Sequence, residues 1–391
     1  MTLPSIRDVN LHDKRVGIRV DFNVPMEDGK IINDARLRAA LPTIQLALAA
    51  KARVFLWSHL GRPDPKCPDR HLSLEPVAKQ LSTLLNYPVR FESDWLDGLE
   101  LTTEQVVLCE NVRFNPGEKE NNPELAKKMA ALCDVFVMDA FATAHRSEAS
   151  TVGVVTFAPI SVMGLLVASE LQALDKALQD PRKPVVAIVG GAKVSDKIQL
   201  LKQLIAKVDT LIVGGGIANT FLVALGYSVG QSLYEKDCVA IAETLLEQAQ
   251  QQSTKLLLPK DVVVAKSLTE TSSVRACSCD EVKNEESIYD VGPESSKEYA
   301  VEISRAGTII WNGPLGVFEV DAFSTGTQAL AKAIAKSQAF TLAGGGETLT
   351  AIERCGVRDN LSYVSTGGGA FLAYLEGKTL PAIGVLERSD V

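Results

Sequence analysis

The sequence predicts an α/β protein made of two doubly wound parallel-sheet domains joined by a helical hinge. Three observations support this prediction. Short β-branched runs alternate with longer helix-period stretches, the alternation occurs in two successive series, and a helical pattern between the series runs into a proline pair. Strand–helix alternation is typical of a parallel sheet with helices on both faces. Two series therefore indicate two such domains.

The strands are predicted from short apolar runs rich in valine and isoleucine. The first series comprises residues 16–21, 54–58, 106–110 and 135–139, and the second comprises 185–189, 210–213, 308–311, 340–343 and 363–365. Amphipathic stretches between them predict helices at 34–50, 75–85, 124–132, 196–207, 237–251 and 325–336. Apolar residues at the 3.6-residue period give each of these helices one face that can cover the sheet.

The domain boundary is predicted where a helical pattern over 164–179 meets Pro181 and Pro184, because prolines at this spacing end a helix. The predicted organisation is a first domain at 1–165, an interdomain helix and hinge at 166–183, a second domain at 184–377 and a tail at 378–391. The polar segment 269–290 is predicted to be a hairpin or excursion inside the second domain.

Composition excludes several classes of function. Forty basic and 48 acidic side chains give a net charge of −8, which provides no general electrostatic surface for nucleic acid. The charged N-terminus lacks the apolar core of a signal peptide, so export is not predicted. Seven scattered cysteines indicate neither a disulfide framework nor a zinc cluster, and a reducing cytoplasm fits them best. Cys277 and Cys279 are predicted to be an exposed, inert pair.

One stretch, residues 149–169, has no charged side chain and is long enough to cross a bilayer. It also contains Pro159, Gly153 and several hydroxyl side chains, which a membrane span disfavours. A buried strand followed by a helix is the better interpretation, and no membrane association is predicted.

Arginines follow the predicted strands of the first domain. In an open parallel sheet, ligands bind beyond the carboxyl ends of the strands. These positions hold Asp21-Phe22-Asn23, His59-Leu60-Gly61-Arg62, Arg113, and Arg146. A single arginine here is equally explained by solvation of the surface. Three on successive strand ends favour a locally cationic site for phosphate or carboxylate.

Glycines follow the predicted strands of the second domain. The five glycine-containing turns are at 190–191, 214–216, 312–316, 344–346 and 367–369. One glycine pair is more often a tight turn than a ligand loop. Five on one rim favour a nucleotide site, because glycine lets backbone N–H groups approach an anion closely.

Charged residues near predicted helix starts also indicate an anionic ligand. Lys193 and Lys197 are predicted within one helical turn, where two like charges near a helix N-terminus are unfavourable without an anion, although Asp196 and solvent could offset them. Arg36 and Arg38 likewise place two positive charges at the start of the helix predicted near Asp34. Glu347 could hold a divalent cation against phosphates, or be an ordinary first-turn glutamate.

Standard nucleotide and hydrolase motifs do not match. Gly377-Lys378-Thr379 resembles the end of a P-loop, but Leu372 stands where its first glycine is required. The dinucleotide fingerprint G-x-G-x-x-G, the protein-kinase motifs, a Ser-His-Asp elbow and H-E-x-x-H are absent from the sequence. A cationic rim in one domain and a glycine-lined rim in the other therefore suggest phosphoryl transfer, which needs positioning and charge neutralisation more than covalent catalysis.

Further motifs occur along the chain, in the order RVDFNVP (19–25), SHLGRP, ENVRF, DAF-x-TAHR, GGAKVSDK, VGGGIANTF, LPKD, WNGPLGVFE, GGGET and STGGGAFL. Taken together, these motifs resemble those of the bacterial phosphoglycerate kinase family over essentially the whole length of the chain. The resemblance implies a monomeric, cytoplasmic, hinge-bending enzyme of glycolysis and gluconeogenesis. Its implied reaction is 3-phosphoglycerate + ATP to 1,3-bisphosphoglycerate + ADP, with Mg²⁺ accompanying the nucleotide. It also implies a C-terminal tail that returns to the first domain.

The resemblance assigns phosphoglycerate to the first domain. Asp21, Asn23 and Arg36 would contact the carboxylate end of the substrate, with Phe22, Leu60 and Gly61 beside them. A basic patch around its phosphate would consist of His59, Arg62, Arg113 and Arg146.

The resemblance assigns the nucleotide to the second domain. The implied contacts are Lys193 and Lys197 to the phosphates, Gly214 and Gly215 to the adenine, Glu319 to the ribose, and Asn312, Gly345, Gly346, Glu347 and Thr348 to the phosphates and magnesium. Arg36 and Lys197, with the backbone N–H groups near Gly345 and Gly368, would neutralise the transferring phosphoryl group. The attacking carboxylate is already ionised at pH 7, so no general base is required.

Two departures from the family pattern are present. Glu347 stands where the family commonly has aspartate, so that its carboxylate lies about 1.5 Å further out, and Ala142 stands where glycine is usual. Neither change removes a charge. Two other functions stay open on the sequence: a two-domain NAD-dependent dehydrogenase, against which the missing fingerprint argues, and a catalytically silent nucleotide-binding scaffold.

Overall fold

The computed structural model describes residues 3–103 and 105–388. Contacts divide the chain into two compact units, one formed by the residues up to Gln172 together with the segment that starts at Thr379, the other by Ala173–Lys378. Each unit contains its own six-stranded parallel sheet. The predicted α/β class with two parallel sheets is confirmed. In the part of the chain described, no helix combines the length and the apolar character needed to span a bilayer.

Among the described residues, the first unit contains eight strands and four helices before the unit boundary. They are β1 (Arg15–Arg19), β2 (Met26–Glu27), β3 (Lys30–Ile31), α1 (Ala35–Ala49), β4 (Arg53–Trp57), α2 (Glu75–Leu85), β5 (Val89–Glu92), β6 (Val106–Cys109), α3 (Pro123–Ala131), β7 (Val135–Met138), α4 (Val154–Phe157) and β8 (Ser161–Met163). The order of the main sheet is β5-β6-β4-β1-β7-β8, whereas β2 and β3 form a separate hairpin.

Helices cover both faces of this sheet, and its central strands are therefore buried along nearly their whole length. Buried apolar residues of β1, β4 and β7 form the core with α1 and α2. Local chemistry sets the ends of α2: Pro76 lies in its first turn, and Asn86 ends it in the left-handed conformation at φ 48°.

The next helix, α5 (Leu165–Leu178), contains the boundary between the units. Its first N–H groups have partners in the first unit. Leu165 N donates to Thr43 Oγ1 at 3.0 Å, and Leu166 N donates to Asp139 Oδ1 at 2.9 Å. These side chains satisfy donors that a helix start leaves without intrahelical acceptors.

The second unit contains the remaining strands and seven further helices. They are β9 (Val185–Val189), α6 (Ile198–Ile205), β10 (Thr210–Val213), α7 (Gly215–Ala224), α8 (Val239–Gln251), β11 (Lys255–Leu257), β12 (Asp261–Ala265), β13 (Arg275–Ser278), β14 (Ser287–Val291), α9 (Pro293–Arg305), β15 (Thr308–Asn312), α10 (Thr325–Lys336), β16 (Phe340–Gly344), α11 (Gly346–Cys355), β17 (Tyr363–Ser365) and α12 (Gly369–Leu375). The main sheet has the order β11-β10-β9-β15-β16-β17.

The predicted excursion at 269–290 forms part of a three-stranded antiparallel sheet in the order β13-β12-β14. β13 and β14 both pair with β12, so the segment is not a simple hairpin. Cys277 and Cys279 lie buried here, which shows that the predicted exposed pair is wrong. Burial raises the pKa of both thiols.

The last helix among the described residues is α13 (Pro381–Leu386), whose residues belong to the first unit. Ala382 N donates to Ala144 O at 3.1 Å, which fixes the start of this helix beside the loop that follows β7. The charge-free stretch 149–169 also lies in this region. It contains helical turns at Ala149–Phe157, then β8 and the start of α5, so the strand-then-helix interpretation is confirmed for its second half.

Candidate functional site

The site in the first unit is built from loops that follow β1, β4 and β6. Asn23 Oδ1 accepts the N–H of Gly61 at 2.8 Å, and Phe22 N donates to Ser58 Oγ at 2.8 Å. These bonds join the loop after β1 to the loop after β4. The parallel pairing of β1 and β4 puts both loops at the same sheet edge, as the strand-end argument predicts.

Asn111 joins the third loop to the second. Its Nδ2 donates to Leu60 O at 2.8 Å, and its Oδ1 accepts Arg113 N at 3.1 Å. Arg113 Nη1 also donates to Gly61 O at 2.8 Å. The guanidinium of Arg113 is therefore held by backbone atoms of the neighbouring loop. Asn111 was not predicted as a site residue.

The predicted arginines line a common cavity of about 380 Å³, which we call the cationic pocket. Its lining residues are Arg62, Arg113, Lys119, Arg146, Ser147 and Glu148. The three predicted strand-end arginines are thus brought together, and three residues that were not predicted, Lys119, Ser147 and Glu148, join them.

His59 lies behind these arginines and is 3% exposed. Its Nδ1 is 3.4 Å from Arg19 Nη2 and 3.9 Å from Asp21 Oδ1. Burial, followed by the charges of Arg19 and then Arg113, Arg146 and Arg36, keeps the pKa of His59 well below its ordinary value. The imidazole is therefore neutral near pH 7 and acts as a hydrogen-bonding group, not as a further cation.

Arg36 pairs with Asp21 through its Nη1, and Arg38 pairs with Asp34 at 2.9 Å. Both predicted helix-start arginines therefore have carboxylate partners within the unit. Phe22 and Leu60 are buried in the hydrophobic core, so only their backbone atoms can contact a ligand. Asp21, Asn23 and Gly61 lie in the loops that contact one another at this edge.

Sequence reasoning missed a buried network beneath the cationic pocket. Arg19 is fully buried, and its Nε donates to Ser150 Oγ at 2.8 Å. Ser150 Oγ donates to Glu118 Oε1 at 2.5 Å. Burial raises the pKa of Glu118 to about 7, against the opposing charge of Arg19. A charged residue, Arg19, within the predicted apolar run 16–21 was the available signal for this network.

In the second unit, the ends of β15 and β16 meet the loop after β9. Lys197 Nζ donates to Asn312 Oδ1 at 2.7 Å, and Asn312 Nδ2 donates to Gly344 O at 2.7 Å. Thr348 Oγ1 accepts the N–H of Gly313 at 2.8 Å. Lys197, Asn312 and Thr348 are thus gathered at one sheet edge. Burial lowers the pKa of Lys197, which the charges of Glu347, Glu376 and Asp196 oppose.

The predicted placement of Lys193 and Lys197 within one helical turn is wrong. The helix α6 begins at Ile198, with Lys197 at its N-cap and Lys193 in the preceding loop. Ser195, between the two lysines, holds this loop through Glu235: its N–H and its hydroxyl donate to the two Glu235 oxygens at 2.8 and 2.6 Å. Glu235 was not predicted as a site residue.

Backbone conformation at the end of β16 is specific to glycine. Gly345 has φ 104°, and a Cβ placed on it would lie 2.6 Å from Asn312 Nδ2. Gly345 precedes α11, and Gly368 precedes α12 with φ 49°. The pairing of β16 with β17 puts these two helix starts at neighbouring strand ends, where their backbone N–H groups favour an anion.

Beside these residues lies a cavity of about 420 Å³, which we call the glycine-rich pocket. Of the predicted nucleotide residues, Gly215, Glu319 and Glu347 line it. Lys193, Lys197, Gly214, Asn312, Gly345, Gly346 and Thr348 are not among its lining residues.

Much of the pocket wall was not predicted. Residues 287–291 of β14 form part of this wall, and Leu233, Leu268 and Leu315 add apolar surface. A cavity lined by both apolar and polar side chains suits a planar base attached to polar groups.

No cluster of three or more potential metal-ligating His, Cys, Asp or Glu side chains occurs among the described residues. Glu347 offers a single carboxylate at the pocket, in the first turn of α11. One carboxylate fits Mg²⁺ that arrives with a nucleotide, because this ion is commonly bound by one or two carboxylates plus substrate phosphates.

Comparisons with known proteins agree over the whole chain. Residues 6–378 match the family model described as phosphoglycerate kinase. The chain is 56% identical to phosphoglycerate kinase of Coxiella burnetii over 97% of both chains, and 52% identical to that of Francisella tularensis subsp. novicida over 100% of both. The solved structure of the Coxiella burnetii enzyme matches with a TM-score of 0.96 at 55% identity over 99% of each chain. The Pyrococcus horikoshii structure matches with a TM-score of 0.82 at 31% identity over 98% of each.

Proposed function

The chain belongs to the phosphoglycerate kinase family and is a phosphotransferase, and from this premise we propose which of its residues carry out the transfer. Members of this family transfer a phosphoryl group reversibly between ATP and the carboxylate of 3-phosphoglycerate. Membership in it argues against the dehydrogenase and scaffold alternatives. The roles of individual residues, the metal and the conformational change belong to the proposal.

The first unit binds 3-phosphoglycerate, with the phosphate in the cationic pocket. The observation that supports this placement is the convergence of Arg62, Arg113 and Arg146 on one cavity, with neutral His59 behind them. Three guanidinium groups match a phosphate dianion in charge and geometry. The carboxylate end lies toward Arg36, which Asp21 holds in place from the loop after β1.

The second unit binds the nucleotide, with the base in the glycine-rich pocket and the phosphates toward Lys193 and Lys197. Gly214 and Gly215 lie along the base, and Glu319 reaches the ribose. Asn312 holds the Lys197 amine through the bond of 2.7 Å. Gly346, Glu347 and Thr348 begin the helix whose N-terminal N–H groups favour the phosphates.

Glu347 would hold Mg²⁺ against the nucleotide phosphates. When bound, this ion supplies part of the charge neutralisation that phosphoryl transfer requires. Glu347→Gln should raise the Mg²⁺ concentration needed for half-maximal turnover and weaken binding of Mg²⁺–ADP relative to ADP alone. Equal effects on both nucleotide forms would exclude Glu347 as the metal ligand.

During transfer, a carboxylate oxygen of 3-phosphoglycerate forms a bond to the γ-phosphorus of ATP. The bond from that phosphorus to the bridging oxygen breaks, and ADP leaves with its electron pair. No proton has to move. Arg36, Lys197 and the N–H groups at Gly345 and Gly368 balance the charge on the transferring group. Since each substrate is assigned to a different unit, the two units must bring their ligands together by hinge bending.

The test is a pair of arginine variants two residues apart. ADP formation is measured with and without 3-phosphoglycerate for Arg36→Ala and for Arg38→Ala, whose side chain is 61% exposed and pairs with Asp34. We expect Arg36→Ala to lower kcat by roughly 10²- to 10³-fold, and Arg38→Ala to stay within about twofold of the parent. Similar kinetics in the two variants would exclude the proposed role of Arg36.

We also propose that the enzyme works as a monomer in the cytoplasm, without a nucleic-acid or membrane partner. The net charge of −8 supports the exclusion of nucleic acid. Light scattering at micromolar protein concentration tests the oligomeric state, and a mass of twice 42.0 kDa would contradict it.

A further inference from the structure

The cationic pocket contains one carboxylate that the proposed reaction does not use. Glu148 is 4% exposed and lines the pocket with the arginines. Its Oε1 accepts a hydrogen bond from Arg113 Nη2 at 2.7 Å and lies 3.8 Å from Arg146 Nη1. A buried acid at a site assigned to an anionic substrate opposes the binding of that substrate. It therefore requires an explanation beyond ordinary surface solvation.

The backbone of Glu148 is fixed on both sides. Its N–H donates to Thr151 Oγ1 at 3.1 Å, and its carbonyl accepts Val152 N at 2.9 Å. The side chain therefore projects from a rigid point toward Arg113. Arg113 donates through its other terminal nitrogen, Nη1, to the Gly61 carbonyl at 2.8 Å, and it is itself 4% exposed. The two acceptors together determine the direction of the guanidinium.

Two buried polar atoms at this contact lack protein partners in the described chain: Glu148 Oε2 and Arg113 Nε. A buried donor or acceptor without a partner is costly. The arrangement has thus kept one oxygen of Glu148 and one nitrogen of Arg113 without protein partners. Arg113 Nε is a donor from which a phosphate oxygen can accept, whereas Glu148 Oε2 is a further acceptor that a phosphate dianion repels.

We propose that Glu148 sets the affinity of the cationic pocket for the phosphate of 3-phosphoglycerate, by aiming Arg113 while cancelling part of the pocket's positive charge. This inference rests on the proposed placement of 3-phosphoglycerate in that pocket. Glu148 is a positioning residue, because it acts on the ligand through Arg113. Its two effects oppose each other: the orientation of Arg113 strengthens binding, and the negative charge weakens it.

Two substitutions separate the two effects. Glu148→Gln keeps an oxygen that can accept from Arg113 Nη2 but removes the charge. Glu148→Ala removes both. Dissociation constants for 3-phosphoglycerate and for ADP are measured by calorimetry on the full chain, with circular dichroism as the check on folding. Glu124→Gln is the matched control, since it removes the same charge from a side chain that is 79% exposed.

We expect Glu148→Gln to bind 3-phosphoglycerate roughly three- to tenfold more tightly than the parent, with the gain shrinking as salt is raised. Glu148→Ala should bind more weakly than Glu148→Gln, because Arg113 loses its second acceptor. ADP binding should stay the same in all variants. The KM for 3-phosphoglycerate should fall in Glu148→Gln more than kcat changes, which a purely structural defect would not produce.

Equal or weaker 3-phosphoglycerate binding by Glu148→Gln would overturn the inference. Equal binding by the alanine and glutamine variants would overturn the positioning part of it. Arg62→Ala distinguishes these results from failure of the proposed function. If that variant still binds 3-phosphoglycerate like the parent, the ligand is not in the cationic pocket. If it binds weakly while Glu148→Gln shows no gain, only the role of Glu148 is wrong.

Discussion

Asn312, the last residue of β15, holds the amine of Lys197 at the N-cap of α6 by a hydrogen bond of 2.7 Å between residues 115 positions apart in the sequence. The same amide donates from its other end to the carbonyl of Gly344 at 2.7 Å. Asn312 is 2% exposed, so water does not compete for these bonds. The position of the Lys197 charge is therefore set by the protein before any ligand binds, which is the condition for electrostatic preorganisation.

The first prediction follows from this contact. Asn312→Ala should lower kcat/KM for ATP by roughly 10- to 100-fold, because Lys197 loses its fixed acceptor and samples other positions. Steady-state kinetics at saturating 3-phosphoglycerate measure the change. Asn360→Ala, at an exposed position of the same unit, is the control and should leave the kinetics intact. An Asn312→Ala enzyme within twofold of the parent would show that Lys197 needs no such support.

A second prediction concerns the loop that carries both lysines. Ser195 donates twice to Glu235, so Ser195→Ala should raise the KM for ATP by roughly three- to tenfold while leaving the KM for 3-phosphoglycerate nearly constant. Ser195→Thr keeps the hydroxyl and should restore most of the affinity. Both constants are measured in the same coupled assay. If threonine restores nothing, the hydroxyl bond does not hold the loop.

The sequence was sufficient for the central strands, because each is an apolar run buried on both faces. The predicted bounds at 185–189 and 210–213 agree with the central strands β9 and β10, and those at 363–365 agree with the edge strand β17. Predictions for β1 and β4 ran into the polar residues Asp21 and Ser58, whereas strand pairing ends at Arg19 and Trp57. Asp21 and Ser58 therefore lie in the loops after the strands, where the site is formed.

The edge strands β5 and β11 and the polar helix α9 were not predicted from the sequence. β5 and β11 are short and only half buried, so they carry a weak apolar signal. The helix α9 is rich in serine and charged residues, and only Ser295, Tyr299 and Ile303 of it are buried. Tertiary packing, not local pattern, determines these elements.

Some residues of the site could likewise be predicted from the sequence, and others could not. Arginines and glycines at strand ends could be found because topology puts all such ends on one edge. The supporting acids Glu118, Glu148 and Glu235 could not, since their partners lie 32, 35 and 40 residues away along the chain. Only the folded structure shows which of the 48 acidic residues face a site.

A third prediction tests the strained turn after β16. Gly345→Ala would place a Cβ 2.6 Å from Asn312 Nδ2 at φ 104°, and the Asn312 amide cannot retreat without losing its own two bonds. We expect about 1 to 3 kcal/mol of destabilisation in urea, together with at least roughly tenfold loss of kcat/KM for ATP. Gly346→Ala is the control for stability, because a Cβ there meets no atom within 4 Å. Equal stability of the two variants would refute the strain argument.

The final prediction is a pH dependence of stability that originates at the start of α5. Burial raises the pKa of Asp139 to about 7, and hydrogen bonds from Thr43, Val167 and Leu166 oppose this shift. An aspartate in the unfolded chain has a pKa of about 3.9. Between these two values the folded protein holds a proton that the unfolded chain has released. The stability contributed by Asp139 therefore falls as pH rises from about 4 to about 7 and is constant above that.

Asp139→Asn cannot titrate, so its stability should fall less than that of the parent between pH 5 and pH 7, by roughly 1 to 3 kcal/mol. Glu118 and Asp290, whose pKa values burial also raises to about 7, stay in both proteins and contribute the same sign to each. Urea unfolding at pH 5, 6, 7 and 8 measures the difference. Asp97→Asn, at a side chain that is 84% exposed, should keep the slope of the parent. Parallel curves for the parent and Asp139→Asn would mean that Asp139 is already ionised in the folded protein at pH 5, because Leu166 and Thr43 then stabilise its charge more than burial opposes it.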